Sequence, residues 1–312
     1  MEYLFGIDIG GTTIKIGFLD NDANLIDKFE IPTNKRDNGD KILIDVRDAI
    51  LNYIKKNNIS KDSIKGIGFG IPGPVSNGIV RGCVNLGWKE KDVCNEFKSL
   101  IDFSPIIACG NDANVAALGE MRKGTENNYR NAVMFTLGTG VGGGIILKGK
   151  PIDGAHGAGG ELGHLHLDYT HNFQCNCGLK GCLETVASAT GVVRIAKKYL
   201  VNSPSSLHAI NIDDLTCKDI FDAAKAGDAL ALKIVDEVAY YIAYGASVVA
   251  AVVDPEVFII GGGVSRAGKI LIESIEKHYE KLAFFALKNT PFILASLGND
   301  GGMVGAALLT KI

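Results

Sequence analysis

One pattern occurs twice in this chain, and it limits the fold more than any other feature. Leu4–Ile9 and Thr13–Leu19 read as strands joined at Gly10-Gly11, and a third strand, Leu25–Ile31, follows the polar turn Asp20–Asn24. From Ala132 the device returns as a strand, Ala132–Leu137, a glycine-rich turn from Gly138 to Gly144, and a second strand, Gly144–Leu147. Helices and strands alternate after each opening. In the first half, Ile42, Leu43, Val46, Ile50, Tyr53 and Ile54 share one helical face. Strand Ile64–Ile71, a helix around Lys91–Ile101, strand Pro105–Cys109 and helix Asn114–Lys123 follow. In the second half, helices are predicted around Thr185–Leu200, Lys218–Lys225 and Asp228–Val253. Strand Glu256–Ile260 runs into Gly261-Gly262-Gly263, ahead of helix Lys269–Phe284, strand Phe292–Ala295 and helix Gly302–Leu309. The repeat predicts an α/β chain of two related domains, each a mixed sheet, with a ligand cleft between them.

Composition narrows the partners. At 312 residues and 46% hydrophobic, the chain can bury a sizeable core. A net charge of −3 gives no basic stripe, so no nucleic-acid partner is expected. Met1–Gly6 lacks a cationic n-region and Asp8 interrupts the apolar run, unlike a signal peptide. The longest apolar stretch, Val238–Val253, falls short of the roughly 20 residues that span a bilayer. A cytoplasmic protein with no membrane partner is expected.

The glycine turns carry chemistry. Asp8-Ile9-Gly10-Gly11-Thr12-Thr13-Ile14-Lys15 places two glycines, two hydroxyls and a lysine at a hairpin. Backbone N–H groups can approach a phosphate there, with Thr12, Thr13 and Lys15 adding donors. Asp8 can hold the waters of a nucleotide-bound Mg²⁺. Thr136-Leu137-Gly138-Thr139-Gly140-Val141-Gly142 repeats the device. A strand follows each turn, so neither is a Walker loop nor a dinucleotide fingerprint. Together they point to a polyphosphate. Gly261-Gly262-Gly263 leaves side-chain-free backbone for a planar base, or makes a tight strand-to-helix turn.

Seven cysteines, an odd number, argue against a disulfide framework. Cys83, Cys94, Cys109 and Cys217 are scattered in apolar surroundings and read as inert core residues. Cys175, Cys177 and Cys182 crowd into eight residues, and a nearby histidine would complete a Cys₃His zinc site. His164, His166 and His171 all compete for that place. A site closed by four protein ligands is structural, and it would pin the loop carrying Glu161 and Glu184.

Several segments resemble the ROK family of sugar kinases and repressors. These are the two phosphate hairpins, Gly110-Asn111-Asp112-Ala113-Asn114, Glu161-Leu162-Gly163-His164, the segment from Cys175 to Glu184, and Leu297-Gly298-Asn299-Asp300-Gly301-Gly302. Gly157–His164 is similar to the glucokinases of Gram-positive bacteria within that family. The resemblance spans essentially the whole chain, in order. It implies two actin-like, ribonuclease-H-like domains with mixed sheets flanked by helices and the active site in the interdomain cleft. Residues 1–112 would form the N-terminal domain, 113–300 the C-terminal domain with the zinc-binding sugar loop, and a helix at about 301–312 would pack back on the first. It also implies ATP with Mg²⁺, a structural Zn²⁺ with His164 as fourth ligand, and a homodimer.

Phosphoryl transfer to a hydroxyl needs a clamped polyphosphate and a base aimed at the nucleophile. Read alone, Asp112 is best explained as an N-cap for the helix Asn114–Lys123. The resemblance makes it the base for the 6-hydroxyl of a hexose, glucose first. Asn111, Glu161, His164 and Glu184 would bind the sugar hydroxyls. Asn85 and Trp88 read as packing or as part of the sugar wall. Fructose, mannose, allose and N-acetylmannosamine are rival substrates. A sugar-sensing repressor is disfavoured because the chain opens on the first strand of the phosphate domain, without a helix-turn-helix. An ATPase chaperone or filament protein would lack the His/Cys loop.

Overall fold

The duplicated pattern is realised as two sheets of the same strand order in a computed structural model covering residues 1–312. In the first sheet, β1 (Tyr3–Ile9), β2 (Thr13–Asp20) and β3 (Leu25–Pro32) form an antiparallel meander. After helix α1 (Ile42–Lys56), β4 (Ile64–Ile71) returns parallel to β1. Three two-residue strands, β5 (Val75–Ser76), β6 (Ile79–Val80) and β7 (Lys91–Asp92), make a small separate sheet. Helix α2 (Val93–Leu100) leads to β8 (Ile106–Asn111), parallel to β4, and α3 (Asp112–Lys123) leaves it directly. The order is β3-β2-β1-β4-β8. Central strand β1 is apolar along most of its length because both of its faces are covered. Ile42, Leu43, Val46, Ile50 and Ile54 form the buried stripe of α1, in the same core as Phe5, Phe18, Phe69 and Phe97.

The second sheet has β9 (Ala132–Leu137), β10 (Val141–Leu147) and β11 (Lys150–Pro151), then α4 (Glu184–Ala187), α5 (Ala189–Leu200), α6 (Cys217–Lys225) and α7 (Ala229–Val253). Strand β12 (Val257–Gly261), helix α8 (Lys269–Leu282), strand β13 (Phe292–Leu294) and helix α9 (Gly301–Leu309) complete the chain. The order β11-β10-β9-β12-β13 repeats the first sheet, with β12 parallel to β9 and β13. The turn expected over 138–144 is shorter. The Gly138 amide bonds the Gly140 carbonyl at 2.9 Å, so the strand already begins at Val141. The helix expected over Thr185–Leu200 breaks at Ser188, whose extended backbone ends α4 and whose hydroxyl caps α5. Helix α7 exceeds the apolar stretch read from sequence. At 25 residues it is long and apolar enough to cross a membrane, yet its stripe from Leu230 to Ala250 is buried against other helices.

Residues 1–130, 144–160 and 296–312 group as one unit, and 131–143 with 161–295 as a second. The first unit therefore runs beyond Asp112 and takes in α3. The reason is the crossing of α3 with α9: a Cβ on Gly305 would lie 1.6 Å from the Val115 carbonyl oxygen. Only glycine lets the two backbones meet that closely. Glu120 of α3 adds to the join, its buried carboxylate accepting the amides of Ser296, Leu297 and Gly298 at 2.9–3.1 Å.

Candidate active site

In the first unit, the site residues gather at the carboxyl ends of parallel strands. Asp8 on β1 pairs in register with Gly70 on β4, and Gly70 with Gly110 on β8, so Asn111 and Asp112 emerge from the same edge as Asp8. Ligands of open α/β sheets bind at such edges. The first hairpin closes through Gly10 N–H to Thr13 O at 3.0 Å. Thr33, beyond β3, buttresses it by donating its hydroxyl to Gly10 O at 2.7 Å and its amide to Thr12 O at 2.9 Å. Lys15 is the cross-strand partner of Asp8. Burial pushes the Asp8 carboxyl above the usual carboxylate range, and the Lys15 ammonium pulls it partly back.

The junction of β8 and α3 assigns the cap. Asn111 Oδ1 accepts from Ala113 N at 3.0 Å and Asn114 N at 3.1 Å, while its Nδ2 donates to Gly73 O at 3.0 Å. Asn111 is thus the N-cap, and Asp112 is the first helical residue, with Oδ1 2.8 Å from Ala113 N. The capping role that competes for Asp112 in the bare sequence belongs to its neighbour.

In the second unit, the second hairpin and the cysteine cluster converge on Glu184. Its Oε2 accepts the Val141 amide at 3.1 Å, and its Oε1 accepts the Cys175 thiol at 3.6 Å. A Cβ on Gly140 would sit 2.2 Å from that carboxylate, so the glycine makes room for it. The N-terminus of α5 also grips the hairpin: Ala189 N donates to Gly138 O at 2.8 Å and Thr190 Oγ1 to Thr139 O at 2.9 Å. Thr136 Oγ1 is buried with no protein partner, a hydroxyl left over at the mouth of this turn.

Candidate ligand atoms of His164, Cys175, Cys177 and Cys182 all lie within 4.8 Å of one another. Cys175 Sγ is 3.8 Å from His164 Nδ1, and Cys177 Sγ is 3.7 Å from Cys182 Sγ. A tetrahedron of Zn–S bonds has edges of about 3.8 Å, so the donors have the spacing of that ion. Burial and the two neighbouring sulfurs push Cys182 up to about 12, and a cation reverses that preference by favouring thiolate. The rival histidines are engaged elsewhere. His171 faces Glu237 at 2.6 Å and Lys198 at 3.0 Å, and His166 pairs its backbone with Cys182 and sets its ring at a tilt against Tyr169, centroids 5.1 Å apart. His164 divides its ring: Nδ1 faces the cysteines while Nε2 lies 3.9 Å from Glu161 Oε2.

The triple glycine also divides. A Cβ on Gly261 would meet Met134 at 2.6 Å, and one on Gly262 would meet the Leu137 carbonyl oxygen at 2.4 Å, so both pack against β9. Gly263 alone has open space. It borders a cavity of about 530 Å³ lined by Ala189, Val264, Arg266, the α6 cap Thr216 and, from α6, Cys217 and Phe221.

With two glycine hairpins, an acidic strand-to-helix junction and a Cys₃His loop in place, comparison with known proteins is decisive. The profile described as "ROK family" matches residues 4–312. The chain belongs to the ROK family. It is 43% identical to a glucokinase of Halalkalibacterium halodurans over 99% of this chain and 95% of that one. It is 33% identical to a glucokinase of Thermotoga maritima, covering 99% and 97% of the two chains. The crystal structure of a ROK family glucokinase from Streptomyces griseus, in complex with glucose and AMPPNP, superposes with a TM-score of 0.74. That pair is 30% identical, with 99% of each chain covered.

Some functional parts of this ROK chain escape sequence reasoning. Thr33 and Thr190 support the hairpins through hydroxyls that no local pattern distinguishes. The α6 wall of the cavity is brought to Gly263 by packing, although the capping box of Thr216 and Asp219 at the start of α6 is legible. Trp88 is buried and donates its indole N–H to Gly39 O at 3.1 Å, which accounts for it as a packed residue.

Proposed function

We propose that this chain is an ATP-dependent glucokinase, transferring the γ-phosphoryl group of ATP to the 6-hydroxyl of glucose. The full-length likeness to glucokinases, one of them solved with glucose and AMPPNP, carries the reading. The phosphates of ATP are assigned to the two hairpins: Gly10, Gly11, Thr12, Thr13 and Lys15 on one, Thr136, Gly138, Thr139, Gly140 and Gly142 on the other. Asp8 would hold the nucleotide's Mg²⁺ through water, and a cation offsets the burial that raises this carboxyl. The adenine and ribose are assigned to the 530 Å³ cavity against Gly263. Gly261 and Gly262 shape it from behind.

Glu161, Glu184, His164 Nε2 and the second Nδ2 hydrogen of Asn111 are assigned to the sugar hydroxyls. Carboxylates suit vicinal diols, and a site built to bond a hydroxyl rejects an analogue that lacks it. Asp112 accepts the proton of the 6-hydroxyl as that oxygen attacks the γ-phosphorus and the bond to ADP breaks. His164 Nδ1, Cys175, Cys177 and Cys182 would hold one zinc ion, which supplies no chemistry and fixes the loop. Sugar preference is tested by coupled ADP release with glucose, fructose, mannose, allose and N-acetylmannosamine. Glucose should give the highest kcat/KM. A higher value for another hexose would reassign the substrate, and no sugar-dependent ADP release would overturn the kinase reading.

A further inference from the structure

Two of the cysteines outside the metal cluster touch. Cys94, the second residue of α2, and Cys109, on β8, have Sγ atoms 3.6 Å apart. Neither is fully buried, whereas Cys83 is. Cys217 has no sulfur neighbour, and burial alone pushes it up to about 12. Cys109 also donates to Gly78 O at 3.3 Å. A disulfide needs an S–S distance of about 2.0 Å, so the sulfurs must approach by roughly 1.6 Å.

The two thiols differ in kind. With both thiols protonated, Cys94 donates to Cys109, whose own S–H goes to Gly78 O. When Cys94 ionises, that S–H can turn to the thiolate, a bond that holds Cys94 below the ordinary thiol range despite burial and the Asp92 charge. The start of α2 acts in the same direction. The same bond, together with burial, holds Cys109 above that range. An attacking thiolate beside a protonated resolving thiol is the arrangement that peroxides oxidise selectively.

We infer that Cys94 and Cys109 form an oxidation-sensitive pair, closed to a disulfide by a hydroperoxide and thereby lowering turnover. The Cys94 thiolate attacks a peroxide oxygen, the O–O bond breaks, and an alkoxide leaves and is protonated to the alcohol (water, for hydrogen peroxide). Cys94 is then a sulfenic acid. The Cys109 sulfur attacks it, the S–S bond forms, the S–O bond breaks, and water leaves with the Cys109 proton. Two thiols and one hydroperoxide give one disulfide, one alcohol and one water. Closure takes Cys109 from Gly78 O and draws on β8 two residues before Asn111, which caps α3 and holds Gly73. The effect on turnover rests on the proposed roles of Asn111 and Asp112; the disulfide itself does not.

The experiment treats the purified full chain with hydrogen peroxide, digests it with trypsin without reduction, and assays kcat before and after dithiothreitol. Cleavage at Lys91, Lys98 and Arg122 puts Cys94 and Cys109 in separate peptides, 92–98 and 99–122, so the bond appears as a cross-linked pair. We expect that pair together with a reversible fall in kcat on the order of tenfold, since a displacement of about 1 Å at reacting groups can cost more than that. Cys94→Ser and Cys109→Ser should keep their activity under the same treatment. Absence of the cross-link overturns the proposal. An equal loss in Cys94→Ser assigns the oxidation to the Cys175–Cys182 cluster and also overturns it. A cross-link with unchanged kcat removes the regulatory half, and Asp112→Asn, assayed alongside, reads separately whether Asp112 is the base.

Discussion

Asn111 and Asp112 divide between them two tasks that one residue could have combined. Asn111 satisfies the orphan amides at the start of α3 and ties β8 to Gly73, which leaves the helix end secured without Asp112. Removing the charge at Asp112 should therefore damage chemistry and spare the fold. Asp112→Asn is expected to lower kcat by roughly 10²–10⁴-fold, the range for a lost general base, with little change in the KM for glucose. Its thermal midpoint should match that of the wild type. Near-normal turnover in a coupled assay would remove Asp112 from the base role, and a large fall in midpoint would show that the carboxylate is structural after all. His164 illustrates the same economy, because the two nitrogens of one ring face different neighbours: Nδ1 the sulfurs and Nε2 Glu161.

Elements are held in place by carboxylates that collect backbone amides at their ends. Glu120 reaches from α3 to three amides of the turn before α9. Glu120→Ala strands those amides, and we expect a loss of about 2–4 kcal/mol in urea-unfolding stability, with Glu120→Gln losing less. An unchanged urea midpoint in the alanine variant would mean that the α3–α9 crossing at Gly305 suffices alone. Asp228 caps α7 in a similar way. Burial works to raise its carboxyl, but bonds from Ala231 N, Ser206 N and the hydroxyls of Ser206 and Ser205 outweigh that and hold it at about 2. A depressed carboxylate contributes stability fully above its unfolded value near 3.8 and loses it as the pH falls through 2. The stability gap between wild type and Asp228→Asn should thus be largest above about pH 4 and close between about pH 4 and 2. A gap that stays constant over that window would show that the charge is irrelevant to the cap.

Over the whole molecule, what was legible in sequence is what local rules write down. Alternating apolar runs and glycine turns marked β1, β2, β9, β10 and β12, and the duplicated order of the two sheets follows from that repeat. Residue types with unusual chemistry marked the Cys₃His loop. Long-range packing writes nothing into a local pattern, so the α6 wall, the Thr33 buttress and the Cys94–Cys109 contact emerge only from the fold. Strands β5, β6 and β7, of two residues each, are too short to carry a period. The cysteine loop is where the two kinds of information meet, and it yields the broadest test. The segment from Leu162 to Leu183 has little regular structure of its own, one 3₁₀ turn and isolated bridges, so its shape depends on the ligand cluster. The first sheet and α1 have a separate core. Metal analysis should find about one zinc per chain. Stripping it with a strong chelator should raise hydrogen exchange across 162–183 and abolish glucose binding, while β1, β4 and α1 keep their protection. Zinc added back should restore both. Glucose bound normally by metal-free protein would sink the zinc assignment, because a loop that needs no ion to present Glu161 and Glu184 has no use for four converging ligands.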